Sequence, residues 1–152
     1  DEEFSSGLWG LGIDYKEIRN HTEEIVSEYD VKASNVNEEA GTLSGGNLQK
    51  LILGREISRQ PDFLIADQPT RGLDVGAIES IRENLLEQRK QGTGILLISE
   101  KLDEIIELSD RIAVMYEGEI VHTMSPEETN KKELGLYMNG GANKSTVEPS
   151  AD

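Results

Sequence analysis

Cysteine is absent from the 152 residues. That excludes a disulfide framework and thiolate metal sites, and it fits a reducing compartment. Long apolar runs are absent too. Stretches such as Ile95–Ile98 fall far short of the roughly 20 residues that a membrane span needs, and no signal-peptide pattern is visible. No direct membrane insertion is therefore expected, and any membrane role must come through a partner. Positive charge is scarce: 15 Lys and Arg stand against 30 Asp and Glu, for a net charge of −15. A nucleic-acid binder needs clustered cations to neutralise phosphates, so no nucleic acid is expected as a partner. An initiator Met is missing as well, and the start at Asp1 suggests a cut from a longer polypeptide. What remains suits one domain, of a size that buries roughly 70% of the surface its unfolded chain exposes.

The order of elements can be read from periodicity and punctuation. Residues 1–13, with Ser5, Ser6, Gly7, Gly10 and Gly12, read as an exposed loop containing Trp9, to which no role is assigned. Asp14 looks like an N-cap, with Glu17 three positions on, for an amphipathic helix over 15–29 carrying Tyr15, Ile18, Ile25, Val26 and Tyr29. A polar segment, 30–42, leads to Leu43-Ser44-Gly45-Gly46-Asn47, and Leu48, Leu51 and Ile52 open a second helix running to about Arg59. Phe63–Ala66, bounded by Pro61 and Pro69, reads as a strand buried on both faces. Asp74 can cap a helix over 75–90, and Gly92 and Gly94 precede a second buried strand, Ile95–Ile98. Strand, helix and strand in this length imply a right-handed βαβ unit with a parallel sheet, hence an α/β fold. A short helix at 101–108 follows, then a hairpin of Ile112–Tyr116 and Glu119–Thr123 about Glu117-Gly118. Ser125, Pro126 and Glu128 are the signals for opening a last helix, and the polar stretch after Asn139-Gly140-Gly141 is expected to be disordered.

Two segments carry chemistry. Ser44-Gly45-Gly46-Asn47 is a glycine-containing loop that opens a helix, where unpaired N–H groups, a partial positive charge and the Ser44 hydroxyl could hold an anion. The plainer alternative is a Ser-capped helix after a flexible loop. Asp67 ends an apolar strand, the place where ligands gather in open α/β sheets, and its carboxylate could hold Mg²⁺ or cap a turn. Gln68-Pro69-Thr70-Arg71-Gly72-Leu73-Asp74 continues directly from it. The two histidines, His21 and His122, read as ordinary surface or edge residues.

The succession LSGGN, FLIADQPTRGLD, ILLISEKLDE and SDRIAVMYEGEIV over about residues 43–122 resembles the signature, Walker B, D-loop and H-loop regions of the ABC ATPase family. Asn47 after LSGG, together with PTRGLDVGAIE and SDRIAVMYEG, resembles the second nucleotide-binding domain of importers for simple sugars or nucleosides. The resemblance implies a truncated ABC ATPase fold. Residues 1–60 would be a partial helical subdomain with the signature helix, and 61–124 the C-terminal half of the ATP-binding core. A C-terminal helix at 125–141 and a tail at 142–152 would complete it. It also implies ATP and Mg²⁺ as cofactors, with Ser44, Gly45, Gly46 and Asn47 binding nucleotide. Gly72, Leu73 and Asp74 would form the D-loop, and Asp67 would be a metal ligand once a phosphate-binding loop is present. The implied partners are another ABC domain, arranged head to tail, and membrane permease subunits at the cytoplasmic face of the membrane.

Three departures from the pattern qualify the resemblance. The catalytic Glu position holds Gln68, whose amide can orient water but cannot accept a proton. The switch His position holds Glu100. A carboxylate about 4 Å from a phosphate oxygen is repelled by roughly 4 kcal/mol at an effective dielectric of about 20. No GxxxxGK[ST] segment occurs in the sequence, so the phosphate-binding loop is absent. The expectation is a domain that lends an intact signature loop to its partner's ATP site while its own site is degenerate. A soluble ABC ATPase of DNA repair or ribosome function, and a non-hydrolysing regulatory ABC domain, are the alternatives.

Overall fold

The computed structural model of the chain describes residues 5–6 and 12–141. Trp9 and the expected tail at 142–152 lie outside the described residues. Within the expected loop at 1–13, Ser5–Ser6 (β1) pairs antiparallel with Gly12–Ile13 (β2). The chain divides into two compact units. One joins the residues up to Leu64 to Pro69–Ile95, and the other joins Ile65–Gln68 to the residues from Leu96 onward.

The first unit is built on three helices, α1 (Tyr15–Glu28), α2 (Gly45–Ile57) and α3 (Val75–Lys90). Asp14 caps α1, its Oδ1 accepting from the N–H groups of Lys16 and Glu17 at 3.0 Å each. Ile25 and Tyr29, four residues apart and so on one face, are buried with Val31 and Ile57. Leu43, Leu51 and Leu53 pack against that cluster. Burial raises the pKa of the Tyr29 hydroxyl, and the Glu28 carboxylate adds to the shift. Helix α2 starts at Gly45, three residues before the first apolar residue of its pattern, because Ser44 caps it. It approaches both neighbours through glycine. A Cβ on Gly54 would stand 2.6 Å from Ile25 Cγ2, and one on Gly46 would stand 2.9 Å from Ala77 Cβ. Neither position has room for a side chain unless a helix shifts.

Strand β3 (Phe63–Asp67) pairs with β4 (Gly94–Ile98). Gly94 donates to Asp62 O at the start of the pair and Gln68 donates to Ile98 O at its end, so the strands run parallel. Burial on both faces does not hold. Leu64 and Ala66 are buried, but Phe63 is 59% and Ile65 61% exposed, and Leu96 and Ile98 are exposed as well. The reason is that no described element covers the face that carries these residues, so the strands alternate as half-covered strands do.

The second unit carries α4 (Leu102–Leu108) and the hairpin of β5 (Ile112–Tyr116) and β6 (Glu119–Met124). Glu117 at φ +49° and Gly118 at φ +83° make the tight turn, whose twist matches that of the paired strands. Helix α5 spans Lys131–Met138 and places Leu134 among Ile112, Val114 and Met124. Full burial of such a side chain contributes about 2 kcal/mol. The signals at Ser125, Pro126 and Glu128 do form a capping box, but it opens a separate 3-10 turn over Pro126–Glu128. The helix proper is shorter than 125–141, because Asn130 restarts it by accepting from the N–H groups of Lys132 and Glu133.

Candidate functional site

In the first unit, the residues of the glycine loop and of the loop before α3 come together. Ser44 is exposed and has extended backbone (φ −61°, ψ 154°), and its Oγ accepts from Asn47 N at 3.4 Å and from Asn47 Nδ2 at 2.9 Å. The first main-chain bond of α2 is Leu48 N to Ser44 O. The N–H groups of Gly45 and Gly46 therefore have no acceptor within the helix. The first turn of α2 carries no acidic side chain, so its partial positive charge is not neutralised from within the helix.

Gly45 faces Leu73 Cδ2, 3.7 Å from where its Cβ would stand. Gly46 is buried against Ala77 and Asp74. Asp74 caps α3 through Oδ1, which accepts from Ala77 N at 3.0 Å, and Gly72 takes φ +72° in the turn before it. Leu73 and Asp74 thus set the start of α3 against the start of α2. Gly46 is where a side chain would force these two helix starts apart.

The structure adds residues that the sequence does not single out. Asn47 Oδ1 accepts from Lys32 N at 2.8 Å, and Lys50 Nζ reaches Asp30 O at 3.3 Å and Asp30 Oδ2 at 3.6 Å. Asp30 itself takes φ +48°. One face of α2 thereby grips the turn that follows α1. No periodicity links Lys32 to Asn47 across 15 residues, so only a signal for tertiary contact could have found the pair.

In the second unit, Asp67 is exposed at the C-terminal end of β3, and Gln68 follows with φ +48°. A non-glycine residue in the left-handed region costs about 1–2 kcal/mol. Gln68 N donates to Ile98 O at 2.8 Å, which helps to hold that conformation. Glu100 is exposed past β4, in the middle of a turn in which Ser99 Oγ accepts from Lys101 N at 3.0 Å.

Each of the two loops, taken by itself, offers groups of a kind that a Mg-nucleotide takes. An exposed hydroxyl and two helix-terminal N–H groups suit phosphate oxygens. Among the described residues no three His, Cys, Asp or Glu side chains group to hold a metal, so Asp67 could serve Mg²⁺ only as one carboxylate beside phosphate oxygens and water. No helix among the described residues is long and apolar enough to cross a membrane.

No family model matches the chain. Solved structures share its fold. An ATP-binding subunit of an ABC transporter superposes with a TM-score of 0.68 at 21% identity, over 86% of this chain and 58% of that one. The dimeric structure of a bacterial ABC transporter cassette gives 0.65 at 22% identity, over 76% of this chain and 50% of that one. The chain therefore has the fold of part of an ABC transporter cassette. Its homologues are ATP-binding proteins of sugar and nucleoside import. A glucose import ATP-binding protein of Haloferax volcanii is 59% identical over 134 residues, covering 87% of this chain and 24% of that protein. A nucleoside import ATP-binding protein of Lactococcus lactis subsp. cremoris is 52% identical over 129 residues, covering 85% and 26%. A guanosine import ATP-binding protein of Bacillus subtilis is also 52% identical, over 135 residues, covering 88% and 26%. The chain thus spans about a quarter of the length of the curated relatives it matches.

Proposed function

We propose that the chain is the C-terminal portion of the second nucleotide-binding domain of an ABC importer ATPase. In this reading the whole protein couples ATP binding and hydrolysis to uptake of a simple sugar or a nucleoside. It works with membrane permease subunits at the cytoplasmic face of the membrane. ATP bound with Mg²⁺ on the phosphate-binding loop of a head-to-tail partner domain meets Ser44, Gly45 and Gly46 of this one. These groups add hydrogen-bond donors where charge gathers on the terminal phosphate, a form of electrostatic stabilisation. This domain's own site is degenerate. Asp67 remains to hold Mg²⁺, which would draw charge from the phosphate oxygens, but Gln68 supplies no base and Glu100 repels the phosphate.

The observation that carries the reading is the contrast at the two loops. Ser44 presents a capped but exposed hydroxyl on a helix start with no acidic side chain in its first turn. The position after Asp67 holds an amide instead of a carboxylate. The test is Ser44→Arg in the full-length protein with its permease, assayed for steady-state ATPase activity. A bulky cation in front of α2 should block approach of the partner's nucleotide and remove most of the turnover. Activity within about twofold of the unmutated protein overturns the reading, because a single hydrogen bond to a charged group is worth about 1.5–3 kcal/mol.

A further inference from the structure

The amide of Asn47 has one orientation that suits both of its neighbours. Lys32 N–H can only donate, so the Asn47 atom 2.8 Å from it is Oδ1, and Nδ2 is turned to Ser44 Oγ at 2.9 Å. Ser44 Oγ also receives Asn47 N–H at 3.4 Å. A hydroxyl has two lone pairs and one proton. With N–H donors at both lone pairs, the Ser44 proton is left to point away from Asn47.

We infer that Asn47 is a positioning residue that makes Ser44 an obligate hydrogen-bond donor. It acts through Ser44 and not by contact with the nucleotide. This rests on the reading above, in which Ser44 meets a phosphate oxygen of the partner's ATP. Such an oxygen only accepts, so a serine free to rotate would present a lone pair to it part of the time and lose the bond. The anchor lies outside the loop. Lys32 belongs to the turn after α1, and Lys50, one helical turn beyond Asn47, holds Asp30 in that same turn. The orientation of the Ser44 proton is therefore set by how α2 grips the segment 30–32.

The test is a double-mutant cycle in the full-length protein with its permease, reading kcat and KM for Mg-ATP. Ser44→Ala and Asn47→Ala should each lower kcat about tenfold with little change in KM, and the double variant should lose no more than either alone. Asn47→Asp is the control for a merely structural role. It is nearly isosteric and can still accept from Lys32 N–H, but it offers no donor to Ser44. Its kcat should be no better than that of Asn47→Ala. Multiplied losses of about a hundredfold in the double variant, or turnover retained by Asn47→Asp or by Asn47→Ala, overturn the inference while leaving the proposed function standing. Unchanged turnover in Ser44→Ala removes both.

Discussion

The glycine loop before α2 and the turn after β3 both meet nucleotide in the proposed function, yet they are ordered by different means. At the glycine loop the ordering comes from side chains. Ser44 has ordinary extended backbone, and its hydroxyl is set by Asn47, which is set in turn by Lys32. At the turn after β3 the ordering comes from the main chain. Gln68 is kept in a left-handed conformation and its N–H is bonded to Ile98 O. A site that must point a hydrogen-bond donor in one direction needs the first kind of control. A site that keeps its backbone path after its catalytic side chain has been replaced needs only the second. In the proposed reading the first loop is in use and the second is a retained frame.

Gly46 is where a substitution should disturb the glycine loop most. Its Cβ would stand 2.9 Å from Ala77 Cβ, so Gly46→Val must push the starts of α2 and α3 apart. The expected cost is about 2 kcal/mol of stability, read by denaturant unfolding followed by circular dichroism. An unchanged midpoint would show that the two helix starts are not in close contact. At Gln68 the sign reverses. Gln68→Gly removes the side-chain penalty of φ +48°, offset by the greater freedom of glycine in the unfolded chain. It should raise stability by about 0.5 kcal/mol. A loss of stability would show that the amide makes a contact worth more than the strain.

The smallest effect belongs to Glu38, which orders the segment leading into the glycine loop. Its carboxylate accepts from Ser34 N at 2.6 Å and from Thr42 Oγ1 at 2.8 Å. The Ser34 main-chain bond first, and then the Thr42 hydroxyl, lower its pKa below the usual 4.5. A lowered folded-state pKa means that the contribution is fully present above pH 4.5 and is lost as pH falls through the lowered value. Glu38→Gln should therefore be less stable than the unmutated chain at neutral pH, and the gap should close in acid. Thermal unfolding at a series of pH values checks it, and a gap that widens in acid contradicts the assignment.

Much of this was legible in the residues themselves because the signals are local. Asp14 and Asp74 announce helix starts, Pro61 and Pro69 bracket β3, and Glu117-Gly118 marks the hairpin turn. The loop residues Ser44, Gly45 and Gly46 are legible for the same reason, since the helix they open follows at once. Two kinds of feature escaped. Burial of β3 and β4 depends on what covers each face, and an apolar run does not reveal that Phe63 and Ile65 stand exposed. The link from Ser44 through Asn47 to Lys32 joins residues without common periodicity and exists only once α2 packs beside the turn after α1. Ser125, Pro126 and Glu128 misled for a third reason, because capping chemistry serves a 3-10 turn as well as an α-helix.

In the proposed function the loop at Ser44 works while the turn at Gln68 is idle. The contrast is decided by Gln68→Ala in the full-length protein, with the partner domain's site intact and folding confirmed by circular dichroism. If Gln68 has no acid–base role, steady-state ATP turnover should stay within about twofold of the unmutated protein. A loss of about a hundredfold would show that the Gln68 amide orients the attacking water and that this domain's own site is not idle.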